Sequence, residues 1–398
     1  MKKILLIIID GFGDEPIPRL KNKTPLEAAN TPNLNFLVKN GICGLVKPFL
    51  FPKEKKPSSE GTHIALFGFK DYFLGRGPYE AIGVGIKMKK GDIAFRGNFA
   101  TVNENLKVID RRAGRVEKTQ PLIKALKKIK IKGFKFLIKK SYGHRFVLVL
   151  RGKNLSPKIS SNDPQKVGVK VKEILPLDKS RKSKITAQIL NQFLEMAYQI
   201  LKEHLFNKER VKKGLLPANY LLIRGAGELK KTPTFKEKYN LKAAYIAGGA
   251  LYKGIAKILG MKGIFVKGAT GFANTNLKGK ILAAKKGLKK YDFIFLHIKA
   301  TDTFAEDGNF IGKMKFIEKI DKNLKPILDL KNTLIVVTGD HSTSSLLKKH
   351  CKKPNPILIY GNGKDGVEKF SEKECQRGKL GKIRQVDLIE KILEYAKM

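Results

Sequence analysis

Short, nearly continuous apolar runs recur along the chain, at residues 3–10, 220–224, 243–247, 264–267, 293–299, 333–338 and 356–360. Runs without polar alternation suit strands covered on both faces, as in a parallel sheet. Elsewhere apolar residues recur at helical spacing, in 185–201, 314–330 and 386–396. Thr24-Pro25-Leu26-Glu27 has the form of a capping box with proline at the first helical position. This alternation predicts an α/β fold with a mostly parallel sheet flanked by helices. From about residue 90 to about 217 the pattern becomes basic and strand-rich, closing with a long helix. Residues 1–89 and 218–398 are therefore expected to form one discontinuous α/β domain, and 90–217 a smaller inserted α+β domain.

The length of 398 residues agrees with two domains, and 42% hydrophobic content with a globular chain. The N-terminal run of isoleucine and leucine lasts only six residues before Asp10 and Gly11, so it reads as a buried strand rather than a signal peptide. No stretch approaches the length that crosses a bilayer. Three widely spaced cysteines, Cys43, Cys351 and Cys375, suggest neither a disulfide framework nor a thiolate metal site. The expectation is a cytoplasmic protein with no membrane partner.

Charge complicates this picture. Lys plus Arg number 81 and Asp plus Glu 35, a formal net charge of +46. Nucleic acid is the obvious partner for such a chain. The lysines are scattered, however, and in 124–140 they alternate with Ile and Phe as on a solvated sheet face. A small anionic substrate would be drawn by the field, and nucleic acid is not the expected partner. The sequence does not specify an oligomeric state.

Candidate chemistry sits where the apolar runs stop. Asp10 ends the first run, Asp302 follows the run 293–299, and Asp340-His341 follow 333–338. In a parallel sheet the carboxyl ends of strands form the ligand-binding edge. One aspartate after a strand is ordinarily a turn former or cap; three such ends, one with an adjacent histidine, suggest a metal site. His350, nine residues past His341, can return to the same edge. Ser58-Ser59-Glu60-Gly61-Thr62-His63 precedes an apolar segment that can open a helix. A serine there is either a plain N-cap or a nucleophile facing helix N–H groups and an incoming phosphate. A nearby metal ion would make such a hydroxyl nucleophilic.

Several segments resemble the archaeal-type, cofactor-independent phosphoglycerate mutases of the alkaline phosphatase superfamily. They include Ile9-Asp10-Gly11, Thr24-Pro25-Leu26-Glu27-Ala28-Ala29-Asn30-Thr31-Pro32-Asn33 and Gly75-Arg76-Gly77-Pro78-Tyr79-Glu80-Ala81-Ile82-Gly83. Also similar are Phe95-Arg96-Gly97-Asn98-Phe99, Asp110-Arg111-Arg112-Ala113-Gly114-Arg115, His297-Ile298-Lys299-Ala300-Thr301-Asp302 and Thr338-Gly339-Asp340-His341-Ser342-Thr343. The matches run in order from residue 4 to about 390.

The resemblance implies an alkaline-phosphatase-like α/β domain, with an inserted substrate domain that closes to exclude water. It implies two divalent ions, Mn²⁺ or Mg²⁺. Ser59 would be the residue that becomes phosphoserine. Asp10, Ser59, Asp340 and His341 would hold one metal, and Asp302 and His350 the second. The family has a histidine where this chain has Glu306, and a carboxylate there favours harder metals. Further departures are Asn274-Thr275-Asn276 and Ser161-Asn162-Asp163-Pro164-Gln165, where family carboxylates have become amides or hydroxyls. Arg76, Arg96, Arg111, Arg112, Arg115, Arg145 and Arg224, with His144 and Lys253, are the implied binders of an anionic phosphorylated substrate. His63 is expected to pack behind the serine.

The implied reaction interconverts 3-phosphoglycerate and 2-phosphoglycerate, the glycerate staying bound between the two transfers, with no bisphosphoglycerate required. A sister phosphoryl transfer, as in a homoserine kinase or a phosphatase, is the nearest rival reading. A non-catalytic basic protein that binds nucleic acid is another.

Overall fold

The computed structural model describes residues 1–52 and 54–398. The chain divides into two compact units, residues 1–73 with 232–398, and residues 74–231. No helix among the described residues is long and apolar enough to cross a membrane.

The first unit is built on an eight-stranded sheet. Its centre is Lys3–Ile9, with Phe293–Ile298 and Thr333–Thr338 parallel on either side. Ala243–Ile246 and the two-residue Lys262–Gly263 extend the parallel part. Asn355–Tyr360 and Gly41–Lys47 continue it antiparallel beyond Thr333–Thr338, and Gly381–Arg384 completes the edge. Ile4 to Ile9 are fully buried, as a strand with neighbours on both sides and helices on both faces requires. Leu5, Ile7 and Ile9 join Leu34, Ile281, Phe316, Ile317 and Ile320 in one core.

The apolar runs account for most of this sheet, with three differences. The edge strand Gly381–Arg384 was not expected, because it is short and only Ile383 in it is buried. Gly41–Lys47 was not expected, because two glycines weaken its strand signal. Both are required by close packing: a Cβ at Gly41 would lie 2.6 Å from the Ile359 carbonyl oxygen, and one at Gly44 2.5 Å from that of Gly381. The run 264–267 is not a strand. Its neighbour turns at Ala247-Gly248-Gly249 into the helix Ala250–Ile258, so pairing ends near Tyr245.

The helices begin where their caps dictate. Thr24 accepts from the Glu27 N–H at 3.1 Å while Glu27 accepts from the Thr24 N–H at 2.8 Å, a complete capping box before Pro25–Ala28. The segment 314–330 is helical as Phe310–Leu324, capped by Asn309; it continues only as one tighter turn, Lys325–Ile327, where Pro326 has no N–H to carry on the α-helical hydrogen bonds. The helices expected at 185–201 and 386–396 are Arg181–Glu203 and Leu388–Lys397.

The second unit holds a five-stranded antiparallel sheet. Ile93–Val102 pairs with Arg145–Arg151, Val108–Asp110 and Tyr220–Glu228, and Lys135–Lys140 forms an edge. The long helix Arg181–Glu203 covers one face, where Phe193 stacks on Phe136 with ring centres 4.2 Å apart. Only Lys135–Lys140 of the basic stretch 124–140 is a strand; residues 120–126 are helical, Gln120–Leu126.

The second unit begins and ends outside the limits 90–217 expected from the sequence. Helix Arg76–Gly83 packs against Ile93–Val102 so closely that a Cβ on Gly77 would lie 2.0 Å from the Ala94 carbonyl oxygen. Tyr220–Glu228 pairs with the same strand, so both elements belong to this unit.

The capping box yields a prediction. The Thr24 hydroxyl also donates to Glu372 at 2.8 Å. Thr24→Ala should lower unfolding stability by about 1–2 kcal/mol, measured by denaturant titration, and Thr24→Ser should recover most of it.

Candidate functional site

Parallel register brings three strand ends of the first unit to one level. Ile9 pairs with Ile298 and Ile8 with Thr338, so Asp10, Lys299 and Gly339-Asp340-His341 emerge at the same edge. Asp302 follows in the first turn of the helix Ala300–Glu306. His341 immediately precedes a small antiparallel hairpin, Ser342–Ser344 with Lys349–Cys351, in whose second strand His350 pairs opposite Thr343, and the two histidine rings stack with centroids 3.8 Å apart.

Among the described residues two groups bring three possible ligand atoms within 4.8 Å of one another: Asp10, Asp340 and His341, and Asp302, His341 and His350. Ser59 joins the first group. Ser58, not Ser59, caps the helix Ser59–Leu66, accepting from the Gly61 N–H. The Ser59 hydroxyl is therefore left to face His341 Nε2, at 3.3 Å. Glu306 stands at the far end of its helix, 3.8 Å from His350 Nε2, beside the second group.

Charge is the dominant feature here. Asp10, Asp302 and Asp340 are all buried, against one ammonium, that of Lys299. Lys299 Nζ lies 2.7 Å from Asp302 and 3.1 Å from Asp10. Burial raises both carboxylates, but Lys299 acting with neighbouring histidines, His297 at Asp10 and His350 and His341 at Asp302, holds them below the usual range. Asp340 has no such partner, and burial together with Asp10 and Asp302 pushes it well above. Burial lowers His350, but Asp302, the Pro57 carbonyl and Glu306 together raise it to about 9. Asp10 Oδ1 and Asp340 Oδ2 meet no hydrogen-bond donor among the described residues. Buried carboxylate oxygens without donors are costly, and a divalent cation satisfies them. Oxygen and imidazole donors fit such an ion well.

Beneath the candidate ligands lies a layer that the sequence reading largely missed. Tyr252 donates to Asp10 and stacks on His297, with ring centroids 3.5 Å apart. His297 Nε2 lies 3.3 Å from Asp10. His63 Nδ1 donates to the Ser59 carbonyl at 2.8 Å and lies 3.4 Å from Asp340, behind the serine as expected. Lys299 and His297 sat inside a motif already singled out, one and five residues from Ala300 and Asp302 respectively, but nothing in spacing marked them as partners of Asp10.

The remaining candidates occupy the second unit, except Lys253. That lysine lies on the helix Ala250–Ile258; burial and Lys257 lower its pKa, and its other charged neighbour is Lys280 rather than a candidate ligand. In the second unit Arg96 and Arg224 face each other across paired strands. Arg76 donates to buried Glu80 at 2.7 Å, and Arg96 lies 3.7 Å from it. Arg111 and Arg224 converge on buried Asp163, each at 2.6 Å. Arg145 packs over the Tyr142 ring. Arg112 and Arg115 flank the left-handed residues Ala113 and Gly114, and Arg115 is itself left-handed. His144 lies among these groups: burial first, then Arg112, Arg96, Arg115 and Arg224, lower it to about 3. Burial and Arg96 likewise depress Arg224. Like charges crowded in this way favour an anion.

Comparison with known proteins agrees with this chemistry. The model of the Metalloenzyme superfamily matches residues 2–395, and the chain is a member of that class. Proteins named 2,3-bisphosphoglycerate-independent phosphoglycerate mutase from Archaeoglobus fulgidus and Methanocaldococcus jannaschii are each 45% identical to it, over 98% of this chain and 97% of theirs. A solved cofactor-independent phosphoglycerate mutase from Thermoplasma acidophilum is similar at 35% identity and a TM-score of 0.68, covering all of both chains. The PH0037 protein of Pyrococcus horikoshii is similar at 34% identity and a TM-score of 0.84, over 100% of this chain and 97% of that one. This chain belongs to the family of 2,3-bisphosphoglycerate-independent phosphoglycerate mutases.

The arginine surroundings of His144 set an expected titration. With a folded value near 3 against 6.5 in the unfolded chain, His144 should stay neutral in the native state from pH 8 to pH 5. Its contribution to stability is complete above the unfolded value and declines as pH falls toward the folded one. Imidazole NMR shifts read this directly, and adding inorganic phosphate should raise the His144 pKa by offsetting the guanidinium charges.

Proposed function

We propose that this chain interconverts 3-phosphoglycerate and 2-phosphoglycerate through a phosphoserine at Ser59, without bisphosphoglycerate. The single observation that carries the reading is the Ser59 hydroxyl, released from capping by Ser58 and set 3.3 Å from His341 at the edge of a buried carboxylate cluster. Membership in a family whose relatives bear that name gives it a reaction.

In this reading Asp10, Ser59, Asp340 and His341 would hold one divalent ion, and Asp302, His350 and Glu306 a second. When bound, such ions neutralise the carboxylates and the phosphoryl oxygens and lower the pKa of a neighbouring hydroxyl. Ser59 Oγ attacks phosphorus, the bond to the 3-oxygen of the substrate breaks, and glycerate is left with a free hydroxyl. The 2-oxygen of the same glycerate then attacks the phosphoserine and restores Ser59. Lys299 supplies fixed positive charge between Asp10 and Asp302. The first turn of Ser59–Leu66 points backbone N–H groups toward an anion at Ser59.

The arginine group of the second unit is suited to carboxylate and phosphate, because each guanidinium binds two oxygens in one plane. Mg²⁺ and Mn²⁺ are the ions we assign, since Glu306 adds a hard oxygen donor to the second group. A cytoplasmic setting accords with three cysteines that are all free thiols.

The test is turnover of 3-phosphoglycerate coupled to enolase, without bisphosphoglycerate, in Mg²⁺ and then Mn²⁺. Chelation should abolish activity, and Ser59→Ala should lower it at least about 10³-fold. Ser59→Ala protein that keeps wild-type turnover would overturn the nucleophile. Glu306→His should shift the ratio of Mg²⁺- to Mn²⁺-supported rates toward Mn²⁺; an unchanged ratio would remove Glu306 from the metal site.

A further inference from the structure

The hairpin that follows His341 and carries His350 also carries a buried hydroxyl, Thr343 Oγ1, which joins the two ligand groups. It lies 2.7 Å from Asp302 Oδ1 and 3.2 Å from His341 Nδ1. A hydroxyl has one proton to give, and an ionised carboxylate can only accept. Thr343 therefore donates to Asp302, and its remaining contact can be filled only by a proton on His341 Nδ1. With Nδ1 protonated, the lone pair of a neutral His341 lies on Nε2. That atom faces the first group, 3.2 Å from Asp340, 3.3 Å from Ser59 and 3.6 Å from Asp10.

We propose that Thr343 is a positioning residue that fixes the His341 tautomer, committing this histidine to the Asp10–Ser59–Asp340 group and leaving the other ion to Asp302, His350 and Glu306. Taken by proximity alone, His341 belongs to both groups. One hydrogen bond resolves that ambiguity, and it gives Glu306 its reason: without His341, the second group needs another donor. The inference rests on the metal reading given above.

The hydroxyl is itself held firmly. Thr343 is fully buried, and its N–H donates to the Gly13 carbonyl at 3.0 Å. The buried ammonium of Lys313 donates to the carbonyls of Gly13 and Thr343, at 3.0 and 3.1 Å, and to Asp14 at 2.9 Å. Gly11 makes room above: a Cβ there would lie 2.7 Å from both Thr343 Oγ1 and Asp302 Cβ. Partners of metal-bound histidines that fix the ring in this way commonly contribute 10- to 100-fold to affinity, on the order of one or two decades.

Two measurements test this. Long-range proton–nitrogen NMR of chelator-stripped protein, with His341 assigned by its loss in His341→Asn, should show the proton on Nδ1 in wild type and Thr343→Ser. In Thr343→Val that preference should disappear. Mn²⁺ titration by calorimetry should give two equivalents in wild type, affinity within about threefold in Thr343→Ser, and a loss of roughly 10- to 100-fold in Thr343→Val. A wild-type His341 with its proton on Nε2 would overturn the proposal without any variant, so a poorly folded Thr343→Val cannot shelter it. Wild-type affinity in a folded Thr343→Val would overturn it while leaving the metal reading intact. Wild-type protein that takes up no Mn²⁺ would overturn both.

Discussion

Everything at the ligand edge follows from three carboxylates buried around one ammonium. Removing that much negative charge from water is tolerable only if something positive enters. Lys299 answers for Asp10 and Asp302, and Asp340, without a cation of its own, is the carboxyl that burial and its two neighbours push toward the neutral form. The layer beneath, Tyr252 and His297 under Asp10 and His63 under Asp340, keeps the carboxylates from turning away to find water. The apolar packing of the central strand makes this arrangement affordable: six fully buried residues in register with two parallel neighbours give a platform that does not shift when its edge is charged.

Much of that platform was legible in the sequence because it rests on local chemistry. Unbroken apolar runs announce buried parallel strands, and the Thr24 to Glu27 box announces a helix start, whatever lies elsewhere in the chain. Gly41–Lys47 was hidden because its glycines answer to the carbonyls of Ile359 and Gly381, residues hundreds of positions away. The run 264–267 misled for the opposite reason, an apolar stretch whose neighbouring strand turns away. At the site, aspartates that end strands stand out as a pattern. Lys299 and Thr343 do not, because a lysine and a threonine carry meaning only through the atoms that other strands bring to them.

The second unit handles charge in the reverse sense. Glu80 and Asp163 are buried among arginines that outnumber them, so the excess is positive and His144 is kept neutral within it. The overall charge of +46 is a separate matter. Exposed lysines such as Lys135 and Lys139 on the edge strand discourage pairing with other chains. The arginines around His144 instead concentrate charge at a few points, where each guanidinium has a fixed direction.

The division of labour between the adjacent serines has a consequence for the proposed catalytic cycle. A helix whose cap is also its nucleophile loses an anchoring hydrogen bond whenever that oxygen becomes esterified. Here Ser58 holds the first turn, so a phosphoryl group can arrive at Ser59 and depart again while the helix end keeps its shape. In the proposed reaction both covalent states of the protein would then share one backbone, and the interval between the two transfers would need no local refolding.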